Sequence, residues 1–211
     1  MAAKIDHLVI AGGDLGALVD WWQTETGVAP TEGGAHPGGG TRNALVGLGD
    51  GAYVELIGPD PDQPDPAGPR PFGVDDLAPT ASRLVTFAVS VENIDGALAD
   101  VEAAGVSCTP SLAMRRQRPD GRELAWQLAF PIDPELGGVM PFLIDWGETP
   151  HPSADLEPLV TLDRLGLGHP NPAVMAAAFD ALGIDLEVQA EGIARLEATL
   201  VSGSSTLRVS S

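Results

Sequence analysis

Short runs of alternating apolar and polar residues are each followed by apolar residues at helical spacing, and this pattern occurs three times. The first copy is IDHLVIAGGDLGALVDWWQTETGV (5–28), the second is VTFAVSVENIDGALADVEAAGV (85–106), and the third is LDRLGLGHPNPAVMAAAFDALGI (162–184). Alternation over a few residues indicates a half-buried strand, whereas helical spacing indicates an amphipathic helix. Each copy therefore predicts a strand followed by a helix.

The ends of the three helices carry recognisable polar and glycine signals. The residues in N-cap positions have side chains that accept a hydrogen bond from a free backbone N–H, and they are Asp14, Asn93 and Asn171. A glycine, which adopts a left-handed conformation without strain, stands where each helix should end: Gly27, Gly105 and Gly183.

Strand-like runs separated by glycines follow each helix, so the unit is strand, helix and then two or three antiparallel strands. We expect an α+β protein with βαβββ modules at 4–58 and 83–146 and a shorter third βαβββ-like module at 160–211. The segment 59–82 holds seven prolines and is expected to be a connector, because proline interrupts both helix and sheet. A second polar connector is expected at 147–159.

Charge and composition narrow the class of partner. With 11 basic and 30 acidic residues the net charge is −19, which argues against nucleic acid or an anionic membrane surface as partner. Cys108 is the single cysteine, so no internal disulfide can form. Free cysteine and the lack of a long apolar run favour a cytoplasmic location.

Four stretches resemble the vicinal oxygen chelate superfamily, specifically its glyoxalase-like branch. They are IDHLVIAGGDL, GAHPGGGTRNALVGLGDGAYVELIG, RPDGRELAWQLAFP and PFLIDWGETPHP, and together they span roughly residues 4–152. The resemblance implies that βαβββ modules pair so that their curved mixed sheets form a cup, which often holds a divalent metal. Isomerases, lyases, ring-cleaving dioxygenases and drug-binding proteins all belong to this superfamily, so the fold does not specify the activity.

Metal-bearing members take ligands from the first and last strands of a module, and the resemblance places His7 and Glu55 in those positions. An imidazole and a carboxylate suit Zn, Mn, Fe or Ni. The second copy has Phe87 and Phe142 in the same positions, and two protein ligands rarely hold a catalytic metal tightly. His36 is either a third ligand or a surface-loop residue, and we favour the loop.

Three interpretations of His7 and Glu55 therefore stay open at this stage. They bind a metal, or they form a hydrogen-bonded pair in which His7 is a general base, or the pair is purely structural. The third copy has Arg164 and Arg208 in the corresponding positions, and their charges repel a metal.

The opposite wall of the cup is predicted to be apolar and to bind a substrate. Alternation places four aromatic side chains on it: Phe87, Trp126, Phe142 and Trp146. Arg115 or Arg116 is expected either to bind a carboxylate or enolate oxygen or to pair with the abundant acidic side chains at the surface. Asn43 is expected either to hydrogen-bond a substrate oxygen or to tie down its loop.

The sequence thus predicts that the cup binds a small carbonyl- or carboxylate-bearing organic molecule. As an enzyme the protein would be a metal-assisted lyase or isomerase acting through an enolate, rather than a dioxygenase. The alternative is a non-catalytic protein that sequesters a metabolite or an antibiotic. The glycine run at 38–40 opens no helix, so we expect no nucleotide or flavin. Trp21, on the outer side of its helix, would suit the interface of a homodimer.

Overall fold

The computed structural model describes residues 3–117 and 121–211. Within these residues the chain forms twelve strands and three α-helices, in three successive groups of one strand, one helix and three more strands. None of the described helices combines the length and the apolar character that a membrane span needs.

The elements of the three groups have the following bounds. The first group is β1 (Lys4–Ala11), α1 (Leu15–Thr26), β2 (Thr31–His36), β3 (Thr41–Gly47) and β4 (Tyr53–Pro59). The second group is β5 (Arg83–Ser90), α2 (Ile94–Ala103), β6 (Leu112–Gln117), β7 (Glu123–Ala129) and β8 (Phe142–Asp145). The third group is β9 (Thr161–His169), α3 (Pro172–Leu182), β10 (Val188–Ala190), β11 (Arg195–Ser202) and β12 (Ser205–Ser210).

The first two groups share one eight-stranded mixed sheet in the order β2-β3-β4-β1-β5-β8-β7-β6. β1 and β5 pair antiparallel at its centre, and each pairs in parallel with the last strand of its own group. The sheet curves until its two edge strands, β2 and β6, approach each other. The prediction of an α+β fold whose paired modules form a cup is confirmed.

The two faces of this sheet bury different sets of side chains. Leu8 and Ile10 belong to the large core beneath the helices, whereas Val9 and Ala11 belong to a smaller cluster on the concave side. This alternation follows from the two-residue period of a strand. The concave side of the sheet is therefore lined by side chains that do not contribute to the main core.

A β-bulge at Asp6 interrupts the alternation of β1. Ile5 lies opposite Val89 and His7 lies opposite Ala88, so Asp6 is an extra residue in the ladder. Bulges locally re-aim side chains. As a result Ile5 packs against the main core, while Asp6 and His7 both contact groups on the concave side.

Phe87 does not lie in the wall of the cup, so its predicted placement there is wrong. Phe87 is the ladder partner of Leu8, and its ring is fully buried in the main core on the helix side. Aligning the two copies through their helices places Phe87 at the position equivalent to His7. In the ladder, however, the partner of His7 is Ala88 and the partner of Leu8 is Phe87. A shift of one residue moves every side chain of a strand to the other face.

The third group forms its own four-stranded sheet in the order β10-β9-β11-β12. Its first strand is parallel to the strand that directly follows the helix, unlike in the first two groups. α3 packs on α2, while β11 and β12 pack on β5, so this group covers the helix side of the large sheet. Arg164 and Arg208 lie exposed on its outer face, away from that core.

Candidate functional site

A cavity of about 290 Å³ occupies the concave side of the eight-stranded sheet. The first group of elements supplies most of its polar side chains, among them His7, Asn43 and Glu55, and the second group supplies Trp126 and Phe142. Residues of both predicted connectors also line it, including Phe72 and Pro152.

Asp6 is fully buried beneath the cavity and accepts hydrogen bonds from three side chains. Its Oδ1 lies 2.6 Å from His7 Nδ1, and its Oδ2 lies 3.1 Å from Trp146 Nε1 and 3.0 Å from His151 Nε2. Burial alone would raise the pKa of Asp6, but the hydrogen bonds from His151 and His7 outweigh it and hold that pKa well below its usual value. Asp6 is therefore ionised.

The ionised Asp6 determines which nitrogen of His7 carries the proton. A carboxylate can only accept, so His7 Nδ1 is the donor, and in the neutral imidazole Nε2 carries the lone pair. Nε2 lies 3.8 Å from Glu55 Oε2, and the His7 ring stacks on Tyr53 at 4.5 Å between ring centroids. The result is an oriented imidazole whose basic nitrogen faces a carboxylate inside a buried cavity.

Glu55 is held in place by two side chains of the neighbouring strands. Asn43 Nδ2 donates to Glu55 Oε1 at 2.5 Å, and His36 Nε2 lies 3.6 Å from the same oxygen. His36 Nδ1 also lies 2.9 Å from Thr41 Oγ1. Its side chain is only 17% exposed, so the interpretation of His36 as a surface-loop residue is wrong.

Arg116 is the arginine of the predicted pair that lines the cavity. It is 7% exposed, and its Nη1 would lie 2.6 Å from a Cβ added at Gly34. Arg116 is on β6 and Gly34 on β2, so this contact joins the two edges of the sheet. Arg115, the next residue on β6, points to the other face, where it is exposed and outside the cavity.

Two consecutive glycines on β2 make these contacts sterically feasible. A Cβ at Gly33 would overlap Asn43 Oδ1, and one at Gly34 would press on Arg116. Glycines within a strand often mark a site where another group approaches the backbone closely. Gly33 and Gly34 are therefore the signal in the sequence that other side chains, here Asn43 and Arg116, approach the backbone of β2 closely.

The aromatic wall contains three of the four predicted rings and further ones. The Trp126 and Trp146 rings lie 5.5 Å apart, and Phe142 stacks on Phe130 at 5.0 Å. Phe72, from the proline-rich connector, lies 6.0 Å from Phe142. Sequence reasoning missed Phe72, which belongs to no alternating run, and Phe130, which continues the alternation of Trp126 and Leu128 one residue past the end of β7.

Sequence reasoning also missed Asp6 and His151. Strict alternation placed Asp6 on the helix side of β1, and only the bulge turns it toward the cavity. His151 was assigned no role because it lies between prolines in a connector. Its ring is 5.6 Å from both Tyr53 and Trp146, and this contact ties the connector to the cup.

The side chains present do not fit a resident metal. Across 3–117 and 121–211, no three His, Cys, Asp or Glu side chains are arranged to hold an ion. His7 Nε2 and His36 Nε2 lie 3.8 Å and 3.6 Å from the oxygens of Glu55, and Asn43 Nδ2 donates to one of those oxygens. Ala88 and Phe142, which offer no ligand atoms, occupy the facing positions of the second module.

Residues 5–183 match the family model described as a glyoxalase-like domain. The chain belongs to this family. The predicted resemblance to the glyoxalase-like branch of the vicinal oxygen chelate superfamily is thereby confirmed. No curated protein matches the sequence at a significant level.

Three solved structures that are similar to this chain are distant from it in sequence. A hypothetical protein from Staphylococcus aureus matches with a TM-score of 0.66 and 15% identity, over 98% of this chain and 85% of that chain. Methylmalonyl-CoA epimerase from Streptomyces coelicolor, in complex with 2-nitronate-propionyl-CoA, has a TM-score of 0.49 and 22% identity, over 72% and 100%. Methylmalonyl-CoA epimerase from Mycobacterium tuberculosis has a TM-score of 0.44 and 18% identity, over 71% of this chain and 91% of that chain. At these identities the likeness concerns the fold alone.

Proposed function

We propose that the cup of this glyoxalase-like protein binds a small carbonyl- or carboxylate-bearing organic molecule and that His7 removes a proton next to its carbonyl group. The reaction class is an isomerase or lyase that acts through an enolate. The observation that carries this proposal is the buried pair of Asp6 and His7, whose Nδ1 and Oδ1 atoms are 2.6 Å apart at the base of the cavity.

His7 has the features of a general base. The hydrogen bond to Asp6 fixes the ring and directs the free Nε2 lone pair toward the cavity. When Nε2 takes a proton from substrate carbon, the electron pair of the broken C–H bond forms a C=C bond and the π pair of the carbonyl moves to its oxygen, which gives an enolate. The imidazolium that results lies between the carboxylates of Asp6 and Glu55, which stabilise its charge.

Arg116 is the group that would stabilise the enolate oxygen. A guanidinium in a buried site interacts with developing negative charge more strongly than it would in water. Asn43 and His36 keep the Glu55 carboxylate in a fixed place beside His7. These roles need no metal.

A non-catalytic binding protein is the second candidate function. It is favoured by the apolar side chains of the second module beside His7. Ala88 lies opposite His7 in the ladder, and the Phe142 ring lies 5.4 Å from the His7 ring. In that case the aromatic wall supplies the affinity, and Asp6 and His7 orient a ligand without removing a proton.

Hydrogen–deuterium exchange distinguishes the two candidates. 2-Oxobutyrate and phenylpyruvate are incubated in D₂O with the protein, and loss of the proton signal next to the carbonyl is followed by NMR. We expect exchange above the buffer rate that falls about 100-fold or more in both His7→Gln and Asp6→Asn, the range for loss of a general base. His169→Gln is the control, because that ring binds Glu135 O outside the cavity.

Exchange at the buffer rate for both acids, despite measurable binding, would contradict the enzyme proposal and favour the binding protein. If neither acid binds by calorimetry, the chemical class proposed for the ligand is wrong.

A further inference from the structure

Aromatic residues are scarce in this chain and concentrated around the cavity. The chain holds five Phe, four Trp and one Tyr. Six of these ten line the cavity: Tyr53, Phe72, Trp126, Phe130, Phe142 and Trp146. Such a distribution is not needed for folding, since the much larger main core contains mostly aliphatic side chains.

The rings form two groups that meet at the cavity. Trp126 and Trp146 lie at 40° to each other, and Phe130 stacks on Phe142 with an angle of 29°. Trp126 and Phe130 are half-buried rather than fully enclosed, so each presents ring surface to the open space. Aromatic pairs prefer offset-stacked or edge-to-face contacts, which a flat ring can make with several of these neighbours at once.

Phe72 reaches the cavity from a backbone conformation that a phenylalanine rarely adopts. Its φ is +59°, in the left-handed region that favours glycine. Its ring lies 6.3 Å from Phe130 and 6.0 Å from Phe142. Strained residues of this kind cluster at ligand clamps and active sites. The proline-rich connector thus holds one more ring against the aromatic wall at a local energetic cost.

The same cavity contains a buried cation and has a restricted size. Arg116 lines it in a chain whose net charge is −19, so an anionic group has one strongly favoured position. The volume of about 290 Å³ lies just below the range of roughly 300–1,000 Å³ for ligand pockets. A single ring with a short acidic arm suits a cavity of this size.

We infer that the ligand is a single-ring aromatic acid, an arylacetate or aryl-2-oxo acid whose ring packs against Trp126, Phe130 and Phe142 and whose anionic oxygen binds Arg116. This inference deepens the proposed function and rests on it, because it assumes that the cup binds a carboxylate or carbonyl compound. Beyond the proposed function, it requires that the ligand carry a flat ring.

Phenylacetate and cyclohexylacetate form a matched pair of probes. They share charge and chain length and differ in whether the ring is flat, and neither undergoes enolisation during a titration. Calorimetry on the full chain is expected to give at least tenfold tighter binding of phenylacetate, which corresponds to about 1.4 kcal/mol. In Trp126→Leu this preference should disappear. Trp21→Leu, a half-buried tryptophan of α1 outside the cavity, should keep it.

Equal affinities for the two acids in the unaltered protein would overturn the inference and leave the proposed function standing. A preference that survives in Trp126→Leu would overturn the placement of the ring. Failure of both acids to bind would overturn the carboxylate class of ligand, and the inference with it.

Discussion

His36 illustrates how a single buried side chain links the cavity to stability. Its ring lies between Asn43, Thr41 and Glu55, at distances of 3.2 Å, 2.9 Å and 3.6 Å. Burial lowers the pKa of His36; the Glu55 carboxylate opposes this effect, and Arg116 adds to it. Asp60 and His7 also act on this ring, with opposite signs.

The lowered pKa of His36 predicts a loss of stability at acid pH. The folded state resists protonation of this ring, so the unfolded state binds more protons once the pH falls below the ordinary histidine value of 6.5. The loss grows as the pH falls and levels off below the folded-state pKa. Urea unfolding at pH 7.5 and pH 5.5 should show a smaller decrease in the free energy of unfolding for His36→Gln than for the unaltered protein. An equal decrease would contradict the prediction.

Gly33 predicts a second effect at the scale of one residue. In Gly33→Ala the new methyl group would overlap Asn43 Oδ1, so Asn43 must move and Glu55 loses its donor. We expect the free energy of unfolding to fall by about 1–3 kcal/mol, the usual effect of overpacking. Phenylacetate should also bind more weakly. Gly49→Ala is the control, since no atom lies within 4 Å of its added Cβ. The free energy of unfolding of Gly49→Ala should differ from that of the unaltered protein by no more than about 0.5 kcal/mol.

The proline-rich connector is the element that most changes the site. Arg70 holds it to the first module, because its Nε donates to Gly40 O at 2.9 Å and its Nη1 pairs with Asp75 at 2.7 Å. Within 60–82, all of which the structure describes, the chain has no strand or α-helix and only 3₁₀ turns at Pro71–Asp76, in keeping with its prolines. That the segment carries Phe72 onto the aromatic wall was not predictable, because no periodic pattern relates position 72 to the strands.

The helix caps differ between elements in a way that stability measurements can detect. Asp14 accepts from Ala17 N at 2.8 Å and Asn93 from Gly96 N at 3.1 Å, as their positions predicted. Asn171 stands at the start of α3 but its side chain makes no such bond.

We therefore expect Asn93→Ala to lower the free energy of unfolding by about 1 kcal/mol, the usual effect of losing an N-cap bond. Asn171→Ala should lower it clearly less, since its side chain caps no N–H. Urea unfolding of the two variants side by side measures the difference. Equal losses would show that the cap bond at Asn93 does not contribute as the geometry indicates.

At the scale of the whole molecule, one continuous core joins all three groups of elements. Leu18 of α1, Val101 of α2 and Phe179 of α3 belong to the same buried cluster, together with strand residues of both sheets. The third group therefore supports the helix side of the sheet that carries the cavity, although it contributes no lining residue.

This continuity predicts a single cooperative unfolding transition. Phe179→Ala should destabilise by about 3–5 kcal/mol, as expected for a buried phenylalanine. Near-ultraviolet circular dichroism, which reports aromatic side-chain packing, should shift its urea midpoint together with the far-ultraviolet signal. Separate midpoints for the two signals would show that the third group unfolds independently of the cup.

The sequence by itself determined the helices and most of the strands, because these depend on local periodicity. The resemblance to a known superfamily, carried by short motifs, supplied the pairing of modules into a cup. The sequence also identified His7, Glu55, Asn43, Trp126, Phe142 and Trp146, all of which line the cavity. Alternation is a reliable guide where the ladder is regular.

Only the tertiary structure decided which neighbours complete the site. The bulge at Asp6 changes the register between β1 and β5, and this register depends on hydrogen bonds between segments about 80 residues apart. It brings Asp6 beside His7 and sends Phe87 to the opposite face. The choice of Arg116 over Arg115 likewise follows from how the sheet closes on Gly34, a long-range contact that no local pattern encodes.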